Sequence, residues 1–162
     1  MSELVDEFRA SGVSLVSVTG GEPLIQLQAI DLLNALLGYG TVLLDTNGSR
    51  DISVVPSEVI IIMDIKCPGS GESDSINWRN IQKLRPVDEV KFVIRDRDDY
   101  LWAKKVVMDH HLQKQCHAVL FSPVFSVLSP SELVKWMIDD HVPARLNLQT
   151  HRYIWGSSVR GV

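Results

Sequence analysis

Short apolar runs alternate along the chain with segments whose apolar residues recur every three or four positions, and this alternation predicts a repeated strand-helix unit. Residues 2–11 place Leu4, Val5 and Phe8 on one helical face before Gly12. An apolar strand over 13–18 runs into Val18-Thr19-Gly20-Gly21-Glu22-Pro23, and a helix over 24–37 follows, with Ile30, Leu33 and Leu37 at helical spacing and Gly38 and Gly40 as its stop. Residues 41–44 and 59–65 are continuous apolar runs, the second nearly all β-branched. Both suit strands covered on two faces of a parallel sheet. A short helix over 77–84, a strand over 89–94 and a helix carrying Leu101, Val106 and Val107 come next. Strands over 117–121 and 145–148 enclose a helix whose start reads as a capping box, with Ser129 as N-cap, Pro130 at N1 and Glu132 at N3. The expected fold class is α/β, an incomplete (β/α) partial barrel of about five parallel strands with helices outside, in one domain spanning 1–162.

The polar clusters fall where such a fold places its ligands, at the carboxyl ends of the strands. Gly20 and Gly21 allow the backbone to turn without a Cβ clash. With Glu22 they form either a tight βα turn carrying a solvated glutamate or a cradle for a polar or cationic group such as an α-ammonium. Asp45-Thr46-Asn47-Gly48-Ser49 is a chain reversal or a second part of the same rim. Asp64 and Lys66 break the apolar character of the strongest strand at its end, and the loop from Lys66 to Glu72 is a flexible connection or a binding loop. Lys91 inside a central strand requires a partner for its ammonium or a path to water. Asp98 and Asp99 sit in the first turn of a helix, where they suit its dipole.

Composition bounds the function. The 162 residues carry 45% apolar and 22% charged side chains, as in a soluble globular protein. The net charge of −4 offers a polyanion no overall attraction, so nucleic acid is not the expected partner. No apolar run is long enough to span a bilayer, and the first ten residues do not resemble a signal, so no membrane partner and a cytoplasmic location are expected. Cys67 and Cys116 are the only cysteines and lie far apart, against a disulfide framework or a self-contained metal site. His110, His111, Cys116 and His117 invite a metal reading. Adjacent histidines on a helix point about 100° apart, however, and suit a solvent-facing helix end better.

Taken together, Thr19-Gly20-Gly21-Glu22-Pro23-Leu24, Asp45-Thr46-Asn47-Gly48, Met63-Asp64-Ile65-Lys66-Cys67-Pro68, Asp88-Glu89-Val90-Lys91-Phe92-Val93-Ile94 and the tail Leu148-Gln149-Thr150-His151-Arg152-Tyr153-Ile154-Trp155 resemble the radical S-adenosylmethionine superfamily. The lysine-bearing strand and the tail, which ends in Arg160-Gly161-Val162, narrow the resemblance to the 7-carboxy-7-deazaguanine synthases of queuosine biosynthesis, and it covers essentially the whole chain. The resemblance implies a carbon-nitrogen lyase. A reduced [4Fe-4S] cluster cleaves S-adenosylmethionine, and the resulting radical takes a hydrogen from 6-carboxy-5,6,7,8-tetrahydropterin. Ring contraction with loss of ammonia, assisted by Mg2+, then gives 7-carboxy-7-deazaguanine.

By the same resemblance, Gly20, Gly21 and neighbouring backbone hold the methionyl ammonium, with Glu22 supporting the loop. Asp64, Ile65 and Lys66 meet the cofactor, and Ser122, Pro123, Val124 and Phe125 flank its adenine. Thr19 and the terminal carboxylate of Val162 bind the pterin, and a homodimer and an external electron donor are further implications.

The three-cysteine cluster loop of the family, its magnesium ligand and its first βα unit would all fall before Met1. The expectation is therefore an N-terminally shortened synthase with no catalytic or metal residues of its own in this chain, and with an open edge at its first strand. A noncatalytic S-adenosylmethionine- or pterin-binding remnant, and another radical activity such as an activase, are the alternatives.

Overall fold

The structure, a computed structural model, describes residues 2–156. It contains six strands: β1 Leu15–Val18, β2 Thr41–Thr46, β3 Ile60–Ile65, β4 Glu89–Ile94, β5 Ala118–Pro123 and β6 Arg145–Leu146. They form one sheet in sequence order, each parallel to the next. Right-handed crossovers that always step to the adjacent strand in one direction leave every connection on the same face of the sheet. All six strand segments read from the sequence pair, one more than the expected count of about five, and the last, only two residues long, pairs with β5 at Leu120 and Phe121.

The strands divide their side chains by phase. Val42 and Leu44, Ile61 and Met63, and Val90 and Phe92 point to the helical side and are almost wholly buried. Helix α1 Ser2–Ser11 precedes β1, and helices α2 Ala29–Leu37, α3 Arg97–Asp109, α4 Leu112–Gln115 and α5 Pro130–Asp139 lie between strands in sequence. They contribute Phe8, Leu33, Val107, Leu112 and Leu133 to the same core. Burial of each large side chain contributes about 1.5–3 kcal/mol, and edge-to-face contacts of Phe121 with Phe92 and Tyr100 order the middle of the core. The residues of opposite phase, from Leu43 to Lys91, are only half-buried. That bare face is the concave side of the partial barrel.

Several sequence expectations are corrected. The helix expected over 24–37 is a 3-10 turn, Pro23–Ile25, followed by α2, because Glu22 caps the N–H of Leu24 and Gln26 is extended, which stops the first turn. The segment 77–84 is a 3-10 helix, Trp78–Lys83, whose Asn80 side chain is drawn to the carbonyls of Gly48 and Arg50. Strand 13–18 loses its first two residues to a turn in which Ser11 Oγ accepts the N–H of Val13. The capping box at Ser129 does not form, since its hydroxyl pairs with that of Ser131 instead. Strand 145–148 stops at Leu146, and a helix α6, Thr150–Trp155, follows it. Among the described residues no helix is long and apolar enough to cross a membrane.

At the amino-terminal ends of the strands an ion pair with a buried carboxylate ties the connections before β3 and β4 together. Asp88 is fully buried and accepts the N–H of Ile61 at 2.9 Å and three N–H groups of Arg85. The Arg85 guanidinium in turn donates to the carbonyls of Ser57 and Val59. Asp88→Ala strands that guanidinium and one strand amide, and it should lower unfolding stability by about 3–5 kcal/mol. A urea midpoint unchanged from the unsubstituted protein would refute the assignment.

Candidate functional site

At the carboxyl-terminal ends of the strands the phase rule puts charge on the bare face. Asp45 on β2, Asp64 on β3 and Lys91 on β4 project from it, and Asp64 and Lys91 are register partners on adjacent strands. The Lys91 ammonium lies 3.3 Å from Asp45 and 3.8 Å from Asp64. Asp64 accepts a closer bond from Lys66 at 2.8 Å, and Asp45 accepts from the Ser17 hydroxyl at 2.8 Å. The lysine that looked costly in a central strand thus neutralises two carboxylates. The second oxygen of Asp64, Oδ1, is buried and has no hydrogen-bond partner among the described residues.

This charged belt is the floor of a crevice of about 630 Å³, lined among others by Thr19, Lys66, Arg95, Ser122, Val124 and His151. A contiguous recess of about 240 Å³ adds Gly20, Gly21 and Asn47 to the same floor. Gly20 and Gly21 both have positive φ, +106° and +57°, and among the described residues no atom beyond their chain neighbours lies within 4 Å of where their Cβ atoms would be. Their turn therefore presents bare backbone to open space. Glu22, by contrast, faces inward. It is buried, and its carboxylate accepts the N–H of Leu24 at 3.0 Å, the Thr46 hydroxyl at 2.8 Å and the N–H of Asn47 at 2.8 Å. One carboxylate so joins the turn after β1 to the turn after β2. Gly48 completes the second turn at φ +71°, where a Cβ would meet Met63 at 2.9 Å.

Of the residues singled out from sequence, Thr19, Gly20, Gly21, Asp64, Lys66, Ser122 and Val124 come together around this space. Ile65 points into the core with Pro123 also buried, and Phe125 packs edge-to-face on Tyr153 of α6. The Ser122 hydroxyl is engaged with the carbonyl of Asn147 at 2.7 Å. Val162 lies outside the described residues. Asp45 was legible as the first residue of the turn motif after the second strand, and Lys91 as a cation inside a central strand. Asp99 stands in the first turn of α3 as expected, and beyond that it is 2% exposed and lines the crevice, which the sequence did not indicate.

Cys67 and Cys116 are both buried, Cys67 just after β3 and Cys116 just before β5, hence at opposite ends of the sheet. Burial, reinforced by Asp99 and Asp64, pushes the Cys67 thiol far above its usual range, and burial also raises Cys116. Two separated, protonated thiols do not fit an iron-sulfur cluster, which takes convergent thiolates. His110 and His111 are exposed at the end of α3, where His110 stacks on Trp78. Among the described residues no group of His, Cys, Asp and Glu is arranged to hold a metal ion.

No family model matches the chain. Among curated proteins, the 7-carboxy-7-deazaguanine synthase of Koribacter versatilis is 39% identical over 162 residues, covering 91% of this chain and 72% of that protein. The synthase of Chlorobaculum tepidum is 37% identical over 166 residues, covering 100% of this chain and 75% of that protein. The synthase of Methanospirillum hungatei is 35% identical, and the match spans 58% of its length. Among solved structures, QueE from Escherichia coli superposes with a TM-score of 0.67 at 16% identity, over 91% of this chain and 62% of that one. At that identity the likeness concerns the fold, and it agrees with a partial barrel.

Two outcomes follow from this geometry. Lys91→Met leaves Asp45 and Asp64 facing each other without their shared cation, and it should lower stability by about 1–3 kcal/mol, less than for a sealed pair because the side chains are 21% and 25% exposed at the Lys91–Asp45 contact. An unchanged denaturation midpoint would argue against the belt. Both thiols should resist a disulfide reagent at about pH 8 in the native protein and react once it is unfolded. Because the folded thiols keep protons that the unfolded ones release, stability should fall as pH rises past about 8.5, the ordinary thiol value.

Proposed function

The chain belongs to the 7-carboxy-7-deazaguanine synthase family, and from that premise we propose that the crevice is the part of a radical S-adenosylmethionine site that holds the cofactor and one side of a pterin. The observation that carries this reading is the Gly20-Gly21 turn, open to space at positive φ beside a charged floor with an orphaned acceptor on Asp64. Backbone carbonyls of the turn suit an α-ammonium, while Glu22, bonded inward, sets the position of the turn. Asp64 and Lys66 contact the ligand from β3, Ile65 by its backbone alone. The stretch Ser122, Pro123, Val124 and Phe125 forms the opposite wall, against the adenine. Thr19 faces the pterin, and the Val162 carboxylate is the further substrate contact.

The substrate in this reading is 6-carboxy-5,6,7,8-tetrahydropterin and the product 7-carboxy-7-deazaguanine, with ammonia released. When bound and reductively cleaved, S-adenosylmethionine supplies the radical that begins the ring contraction. The part of this chain is to orient the ligands on a rigid sheet end, with its charges internally neutralised, and to keep water from one side of the crevice. The two thiols do not fit the cluster, so we assign the cluster and Mg2+ to residues outside this polypeptide. The 162 residues by themselves then bind without turnover, as a single domain. A cytoplasmic homodimer served by an external electron donor completes the proposal, with neither nucleic acid nor membrane as a partner.

Calorimetric titration with S-adenosylhomocysteine tests the reading without a cluster. Binding is expected, and Gly21→Val should weaken it at least about tenfold, since a β-branched residue disfavours φ +57°. Absence of heat with folded protein would overturn the cofactor assignment. Anaerobic reconstitution should leave this polypeptide without bound iron, and stoichiometric iron and sulfide would overturn the reading of its thiols.

A further inference from the structure

Asp99 lies in the first turn of α3, a place where a carboxylate ordinarily faces water. Here it is 2% exposed. Its Oδ1 accepts the N–H of Gly69 at 2.8 Å, in the loop after β3, and its Oδ2 accepts the N–H of Arg95 at 3.1 Å, in the loop after β4. The Arg95 guanidinium donates to the Gly69 carbonyl at 3.3 Å and closes the bridge from the other side. The approach is so close that a Cβ at position 69 would lie 2.7 Å from an Asp99 oxygen. The turn that carries the carboxylate is itself held, since the N–H of Asp99 donates to Asp96, the N-cap of α3, at 3.0 Å. Lys66, three residues before Gly69, pairs with Asp64 at the end of β3, on the crevice floor.

We infer that Asp99 is a positioning residue for the S-adenosyl ligand: by taking one backbone amide from each of two strand-end loops, it sets their separation and so places Lys66 and the loop backbone against the ligand. The role needs acceptors on both oxygens. An asparagine retains one and turns an NH2 group towards the other amide, which loses one bond and adds a repulsion. The inference rests on the proposed cofactor reading.

The test compares Asp99→Asn and Gly69→Ala with Tyr100→Phe, a neighbour whose hydroxyl serves the α3–α5 contact through the Trp136 carbonyl at 2.8 Å and Asp140 at 2.9 Å and lies away from the crevice. Three quantities are read on the full chain: the thermal midpoint, amide hydrogen exchange over 66–71, and the Kd for S-adenosylhomocysteine. Asp99→Asn should raise the Kd about tenfold, the equivalent of one lost hydrogen bond, and speed exchange at Gly69, within the measured segment. Gly69→Ala should do the same from the other side of the contact, which keeps the test alive should Asp99→Asn fold poorly. Tyr100→Phe should lower the midpoint and leave the Kd and the exchange of 66–71 unchanged.

Wild-type affinity and exchange in both Asp99→Asn and Gly69→Ala would overturn the proposal. So would an equal loss of affinity in Tyr100→Phe, which would reduce Asp99 to general stability. A wild-type protein that takes up no S-adenosylhomocysteine overturns the cofactor reading and the positioning role together. One that binds, with Asp99→Asn binding as tightly, overturns the positioning role alone.

Discussion

Each parallel strand of this protein must divide its side chains between a face sealed by helices and a face left bare, and the phase of two residues that enforces this division governs everything else. On the sealed face the rule yields the columns Val42-Leu44, Ile61-Met63 and Val90-Phe92, almost inaccessible to water. On the bare face it brings Asp45, Asp64 and Lys91 to one level at the carboxyl ends of three strands. Lys91 offsets the desolvation cost of both half-buried carboxylates, each of which has a further partner, Ser17 for Asp45 and Lys66 for Asp64. A shift of one residue in any of these strands would drive a charge into the core.

Buried carboxylates supply the second layer of organisation. Glu22 links the turns after β1 and β2, Asp99 links the loops after β3 and β4, and Asp88 links connections at the opposite end of the sheet. Each accepts backbone N–H groups, so each acts on the path of the chain more than on its surface. Amide donors also compensate a buried carboxylate without the entropy of ordering a long cationic side chain. The ligand-facing rim is therefore rigid by hydrogen bonding where it lacks the apolar packing that holds the other face.

This arrangement accounts for a site that presents more backbone than reactive side chain. The bare Gly20-Gly21 turn and the paired charges below it suit recognition and orientation, and the buried thiols are unsuited to metal binding. Such a division of labour fits a family whose chemistry is carried by its cofactors, with the protein providing geometry.

The sequence by itself determined the class of the fold and the order of the strands, because apolar phase and glycine placement act locally and survive in a linear reading, and its motifs pointed to the family by resemblance. It also marked Gly20, Gly21, Asp64 and Lys66 as members of one rim. What only the tertiary structure decided was where each polar group spends its hydrogen bonds. Glu22 reads from the sequence as a solvated glutamate or part of a cradle and Asp99 as a partner of the helix dipole, yet both are buried against amides 25 and 30 residues away. The helix expected from Leu24 breaks at Gln26, and the capping box at Ser129 does not form. Local propensity yields in these places to long-range partners, whose positions depend on which strands the sheet sets side by side.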